Sequence, residues 1–252
     1  MASAGLNKRR KITPHWLLMR LRRLGIDIID SFFPRCCPVC QSRLVEGEDG
    51  ICLNCYLKVP RTGYHLDPSN PLILRLVDVR TPIESAVAFF HYSKDNAYAQ
   101  LIRDAKYHNQ PNLDRAIAGL YAHELLAAGF FRDIDAVMPV PIHWTKRLRR
   151  GYNQSDFIAR GIADVTGLPV LNNLKARRAH ATQTRKSASE RRQPLTGIFV
   201  VSHPERLQGK HILLVDDVIT TGATILSCAQ TLKKAVDDHR LSILSLGATK
   251  LT

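Results

Sequence analysis

Residues 210–224, KHILLVDDVITTGAT, constrain the fold more than any other stretch of this chain. The apolar run 212–215 suits a strand buried on both faces of a parallel sheet. Two adjacent carboxylates, Asp216 and Asp217, follow it. Then come Thr220, Thr221, Gly222, Ala223 and Thr224, all small or hydroxylated, and a helical pattern over 225–236. Backbone N–H groups of such a loop, together with the helix N-terminus, can hold a phosphate. Gly222 lets the backbone approach a ligand closely, and the threonine hydroxyls add donors. Paired carboxylates can accept hydrogen bonds from a cis-diol. Phosphate at one end and diol at the other describe a ribose 5-phosphate.

Three other readings cover part of this stretch. A Walker B strand also ends in acids, but it requires a G-x-x-x-x-G-K-[ST] partner, which the chain lacks. A receiver domain opens on a similar strand and Asp pair, yet needs several further βα units. Only one helix and one strand follow here. The third reading is a buried strand with a polar turn, for which T-T-G-A-T after D-D is unusual turn chemistry.

The surrounding pattern alternates strands and helices. Strands are predicted over 83–92, 134–138, 168–174, 197–201 and 241–249, and helices over 96–107, 112–128 and 154–165. Pro139-Val140-Pro141 forms a stiff turn after the second of these strands, and 175–194 reads as a basic, polar loop. Such alternation predicts an α/β fold, a doubly wound and mainly parallel sheet with its site at the carboxyl ends of the strands.

Five of the six cysteines are Cys36, Cys37, Cys40, Cys52 and Cys55. Cys37/Cys40 and Cys52/Cys55 are two C-x-x-C pairs, whose spacing predicts one tetrahedral, structural Zn²⁺ with four thiolate ligands. Disulfides and redox-active pairs are the competing readings. Cys36 is left over as a spare, and Cys228 reads as a core residue.

At 252 residues the chain can carry one sizeable core and a small appendage. Its formal charge of +14 suits phosphate-bearing partners, including nucleic acid. Residues 1–11 read as a disordered basic arm and 15–33 as an amphipathic helix. No apolar run approaches the ~18 residues of a membrane span, and none makes a signal-peptide core. The expectation is therefore a cytoplasmic protein without a transmembrane segment, divided as arm and helix 1–33, Cys₄ ribbon 34–65 and α/β domain 72–252.

The 212–224 stretch resembles the PRPP-binding motif of type I phosphoribosyltransferases. A cysteine ribbon ahead of it is similar to the ComF/GntX family, linked to competence and to use of external DNA. Further matching stretches are 101–106, 139–141, the Arg150-Gly151-Tyr152-Asn153-Gln154 run, Gln183-Thr184 and Arg191-Arg192. The 192–195 run departs from the family pattern. The resemblance implies that Asp216 and Asp217 are catalytic, holding the ribose hydroxyls and stabilising an oxocarbenium-like state. It gives Thr220, Thr221, Gly222, Ala223 and Thr224 the 5-phosphate. Val140, Pro141 and Arg150 would meet the diphosphate with Mg²⁺; Lys146, Arg147, Arg149 and Arg150 either meet it or form an exposed helix start. Asn153 and Gln154 either touch the acceptor or cap the helix that follows, and His143 reads as structural. The implied function is phosphoribosyl transfer to an unknown acceptor. The alternative is a non-catalytic PRPP- or nucleotide-sensing, or DNA-binding, module of the uptake machinery, with weak nucleic-acid binding and an uptake-protein partner.

Overall fold

The computed structural model describes residues 34–78, 81–107, 111–142, 148, 151–177 and 198–250. The expected N-terminal arm and helix, His143, Lys146, Arg147, Arg149, Arg150, most of the basic loop, Gln183-Thr184 and Arg191-Arg192 lie outside the described residues.

The cysteine module contributes one short helix, α1 (Leu53–Leu57), ahead of the main sheet. Four strands form that sheet: β1 (Ser85–His91), β2 (Ala136–Pro139), β5 (His211–Ile219) and β6 (Arg240–Ala248). Their spatial order is β1-β6-β5-β2, and all three pairings are parallel. Alternate side chains of a strand point to opposite faces, and here both faces are apolar. Val87, Phe89, Val137, Leu213, Val215, Leu244 and Leu246 pack on one side. They meet α3 (Ala99–Tyr107), α4 (Pro111–Ala127) and α5 (Gln154–Thr166). Ala86, Ala88, Met138, Ile212, Leu214, Leu241 and Ile243 pack on the other. There they meet α2 (Pro71–Arg75) and α6 (Ala223–Ala235). This is the doubly wound parallel arrangement expected from the alternation.

Two expectations need correction. The segment 168–174 does not form a full strand of the main sheet. It touches β2 through a single parallel bridge, Val137 with Val170. Asn173 then turns the chain away, its amide donating to the carbonyls of Ser202 (2.7 Å) and His203 (3.2 Å). Beyond that turn β3 (Leu174–Ala176) pairs antiparallel with β4 (Phe199–Val201) in a separate small sheet. The second correction is that the acidic pair does not lie beyond the central strand. β5 continues through both residues to Ile219, because β6 extends alongside and offers ladder partners as far as Ala248.

Helices α4 and α5 approach closely because Gly161 has no side chain. A Cβ there would lie 2.2 Å from the carbonyl oxygen of Arg115. The closeness matters for the site, since α5 begins beside the carboxyl end of β2. Among the described residues, no helix is long and apolar enough to cross a membrane.

Candidate active site

The site grows out of a mismatch in strand length. β2 stops at Pro139, paired with Val215, and the N–H of Val140 donates the last bond to Val215 O at 2.9 Å. From Asp216 onward β5 is paired through β6, and its other edge faces the loop after β2. Asp216 and Asp217 thus sit, half-buried, where the sheet opens. Ser155 Oγ donates to Asp216 Oδ1 (3.0 Å), as does the backbone N–H of Asp217 (3.0 Å). Asp217 Oδ1 accepts from the Val218 N–H at 2.7 Å.

Asn153, Gln154 and Ser155 open α5, are all buried, and each serves a different neighbour. The Asn153 amide donates to Val140 O (3.0 Å) and to Asp156 Oδ1 (2.9 Å). Gln154 donates to the buried Asp114 of α4 at 3.0 Å, and Ser155 reaches Asp216. Asn153 occupies the N-cap position but makes no side-chain cap bond. It fastens the end of β2 to α5 instead.

After Ile219 the chain turns through Thr220, Thr221 and Gly222 into α6. Gly222 has φ 81° and is the N-cap of α6. A Cβ there would come within 2.6 Å of Leu76 Cδ2, so glycine is required both by the left-handed conformation and by the neighbour. Thr220, Thr221 and Thr224 are exposed. Residues 218–225 and Asp216 line a small cup of about 30 Å³. The acidic edge and the cup therefore adjoin. Val140 is close by, but its side chain is buried in the core, while Pro141 is partly exposed.

Three residues of the site do not stand out in the sequence. Ser155 carries no pattern that distinguishes it from an ordinary helix start. Arg75 and Leu76 lie in and just after α2, a five-residue helix too short for periodicity to reveal. A local signature is nonetheless present: Asn70 before Pro71, an N-cap followed by proline at the first helical position.

The four cysteine sulfurs of Cys37, Cys40, Cys52 and Cys55 lie within 4.8 Å of one another, and Cys40 Sγ is 3.6 Å from Cys52 Sγ. Tetrahedral Zn²⁺ with Zn–S near 2.3 Å separates its sulfurs by about 3.8 Å, so this donor set fits the ion. Hydrogen bonds from Ser42 hold the Cys40 thiol down to about 6, whereas burial pushes the Cys55 thiol up. Cys36 is exposed, its Sγ lying 3.5 Å from Pro34 O, outside the cluster. The module is docked firmly. Cys37, Ile51, Cys52 and Cys55 join the same core as α4 and the sheet. Arg61 Nη2 pairs with Glu124 of α4 at 2.7 Å, and the Tyr98 hydroxyl donates to Cys55 O at 2.9 Å.

Residues 105–237 match the family described as the phosphoribosyl transferase domain. The chain belongs to this family. The matched span runs from α3 through α6 and so contains both the acidic edge and the cup. Outside that span, similarity to named proteins extends into the cysteine module. The chain is 28% identical to competence protein F of Haemophilus influenzae, covering 81% of this chain and 93% of that one. It is 30% identical to the DNA utilization protein YhgH of Salmonella typhimurium, covering 79% and 91%. Among solved structures, adenine phosphoribosyltransferase of Saccharomyces cerevisiae aligns with 59% of this chain and 74% of its own, at 13% identity and a TM-score of 0.33. The glutamine PRPP amidotransferase of B. subtilis aligns at 22% identity and a TM-score of 0.35, covering 52% of this chain and 25% of that one.

Proposed function

We propose that this phosphoribosyltransferase domain binds PRPP and transfers its phosphoribosyl group to a nucleophilic acceptor, in the service of DNA utilisation. One observation carries the reading: a carboxylate pair fixed at the open edge of β5 adjoins a glycine-capped cup at the N-terminus of α6. The cup's N–H groups and helix terminus would hold the 5-phosphate. Asp216 and Asp217 would accept from the two ribose hydroxyls. In the transfer the bond from the anomeric carbon to diphosphate breaks, the acceptor's lone pair forms the new bond, and the acceptor loses a proton. Positive charge gathers on the ring as diphosphate departs, and the nearby carboxylates stabilise it. Mg²⁺ bound with the substrate would supply neutralisation of the diphosphate's charge. Val140 and Pro141, which follow β2, would border that group together with Arg150. Cys37, Cys40, Cys52 and Cys55 would hold a structural Zn²⁺ that fixes the module on α4.

The test is pyrophosphate release from PRPP with Mg²⁺ and a panel of bases and amines. Release that depends on one acceptor class supports transfer. PRPP bound without release under every acceptor favours a sensing module, a reading supported by relatives named for competence and DNA utilization rather than for transfer. In that reading the basic residues, Lys8 to Arg23 and Lys146 to Arg150, give weak binding to nucleic acid without sequence preference. Its affinity should fall steeply with salt and on deletion of residues 1–23. Indifference to either change argues against it.

A further inference from the structure

We propose that Arg75 is a positioning residue for the phosphate cup: its guanidinium fork sets the peptide planes of residues 219–221 so that their N–H groups face the ligand. The proposal rests on the ribose-phosphate reading above and adds a residue from outside the matched 105–237 span.

Arg75 comes from the segment between the cysteine module and β1, yet its hydrogen bonds go to the far end of the chain. Nη1 donates to Thr220 O at 2.5 Å and lies 3.5 Å from Ile219 O. It also donates to Thr249 Oγ1 at 3.1 Å, and Nη2 donates to Thr249 O at 2.5 Å. Thr249 completes the arrangement, its N–H donating to Ile219 O at 3.1 Å. A trans peptide is planar, with its C=O and N–H pointing opposite ways. Drawing the carbonyl of Thr220 back onto Arg75 therefore turns the N–H of Thr221 to the other side, toward the cup. The same fork beside Ile219 O orients the N–H of Thr220.

The support beneath Arg75 is rigid. Asn70 is 3% exposed, and its Oδ1 accepts from the N–H groups of Leu72 (3.0 Å) and Ile73 (3.1 Å). Its amide donates to Tyr64 O (3.1 Å) and to Ala86 O of β1 (3.0 Å). Leu72 and Leu76 are fully buried, and Leu76 lies against Gly222 where a Cβ would clash. One short helix thus supplies both the fork that aims the loop and the side chain that backs its glycine. Among the described residues, the hydrogen bonds of Arg75 go to carbonyl and hydroxyl oxygens. Its positive charge is therefore added behind an anion site. A lysine keeps that charge but lacks the planar fork.

The experiment is calorimetric titration of ribose 5-phosphate and of PRPP with Mg²⁺ into wild type, Arg75→Ala and Arg75→Lys. Near-ultraviolet circular dichroism checks folding, and phosphorus NMR of bound ribose 5-phosphate reports the phosphate's surroundings. Arg75→Ala should bind both ligands about tenfold more weakly, the order expected from losing charged hydrogen bonds that hold the loop. Arg75→Lys should recover only part of this, with a displaced phosphorus resonance. Millimolar guanidinium should restore Arg75→Ala toward wild type. If Arg75→Ala does not fold, Arg75→Lys alone carries the test. Wild-type binding matched by folded variants with an unmoved resonance overturns the positioning role and leaves the ribose-phosphate reading standing. Wild type that binds neither ligand overturns both.

Discussion

Ser155 Oγ donates to Asp216 Oδ1 at 3.0 Å, across the gap that opens where β2 ends and β5 continues. The first carboxylate of the acidic pair is thereby aimed by the helix of a neighbouring βα unit. Ser155 is 2% exposed, so its replacement by alanine removes the bond without letting bulk solvent substitute freely. A hydrogen bond to a charged group contributes about 1.5–3 kcal/mol. Ser155→Ala should therefore weaken PRPP binding about tenfold in calorimetry while leaving the circular dichroism spectrum unchanged. Unaltered affinity would show that Asp216 needs no such support.

Gly222→Ala should damage both stability and binding. A side chain at φ 81° is strained, and its Cβ would meet Leu76 Cδ2 at 2.6 Å. Strain of this kind costs about 1–3 kcal/mol. Thermal denaturation should show a clear fall in Tm, accompanied by loss of ribose 5-phosphate binding. A variant with wild-type Tm and affinity would mean that the loop relaxes freely.

The cysteine cluster makes a separable prediction. Purified protein should contain about one equivalent of zinc by metal analysis. Cys36→Ser should leave that content unchanged, since Cys36 stands apart from the four clustered sulfurs. Cys55→Ser should abolish it and lower Tm, because Cys55 also belongs to the shared core. Metal lost from Cys36→Ser and kept in Cys55→Ser would reassign the ligands.

Acidification should destabilise the fold before any carboxylate titrates. Burial lowers the pKa of His91 and of His239 below the usual 6.5. The unfolded chain therefore binds more protons than the folded one just below pH 6.5, and stability must rise with pH there. Tm should fall as pH drops through 6.5 toward the lower folded values of these two histidines. His91→Gln should flatten part of that slope. A second fall belongs below pH 4.5, where Arg240 holds Glu84 below its usual range. Constant Tm between pH 7 and 5 would contradict the first assignment.

The fold and the centre of the site were legible because their signals are local. The apolar run before Asp216, the glycine at 222 and the helical pattern after it lie within one stretch, and the four cysteines declare themselves by spacing. The outer limits of β5 were not legible, since they depend on how far β6 runs beside it. Val170 and Leu174 read as one strand because both are apolar and near each other, but Asn173 bonds to 202–203 and splits them. Arg75 and Ser155 act across 145 and 61 positions of chain respectively. No periodicity or motif spans such distances, so only the folded chain brings them to the loop and the acid.

The central claim is that residues 216–224 hold a ribose phosphate. Asp216→Asn with Asp217→Asn keeps side-chain shape, removes two charges and presents amide donors to the ribose hydroxyls. At about 1.5–3 kcal/mol for each lost charged bond, affinity should fall by about two orders of magnitude or more. Thr221→Val should cost less, because backbone N–H groups and the α6 terminus remain. Calorimetric titration of PRPP with Mg²⁺ into wild type and the double variant is the direct measurement. Wild type should bind PRPP, and the double variant should lose that binding. A wild type that does not bind PRPP, or a double variant that binds it equally well, would contradict the ribose-phosphate site.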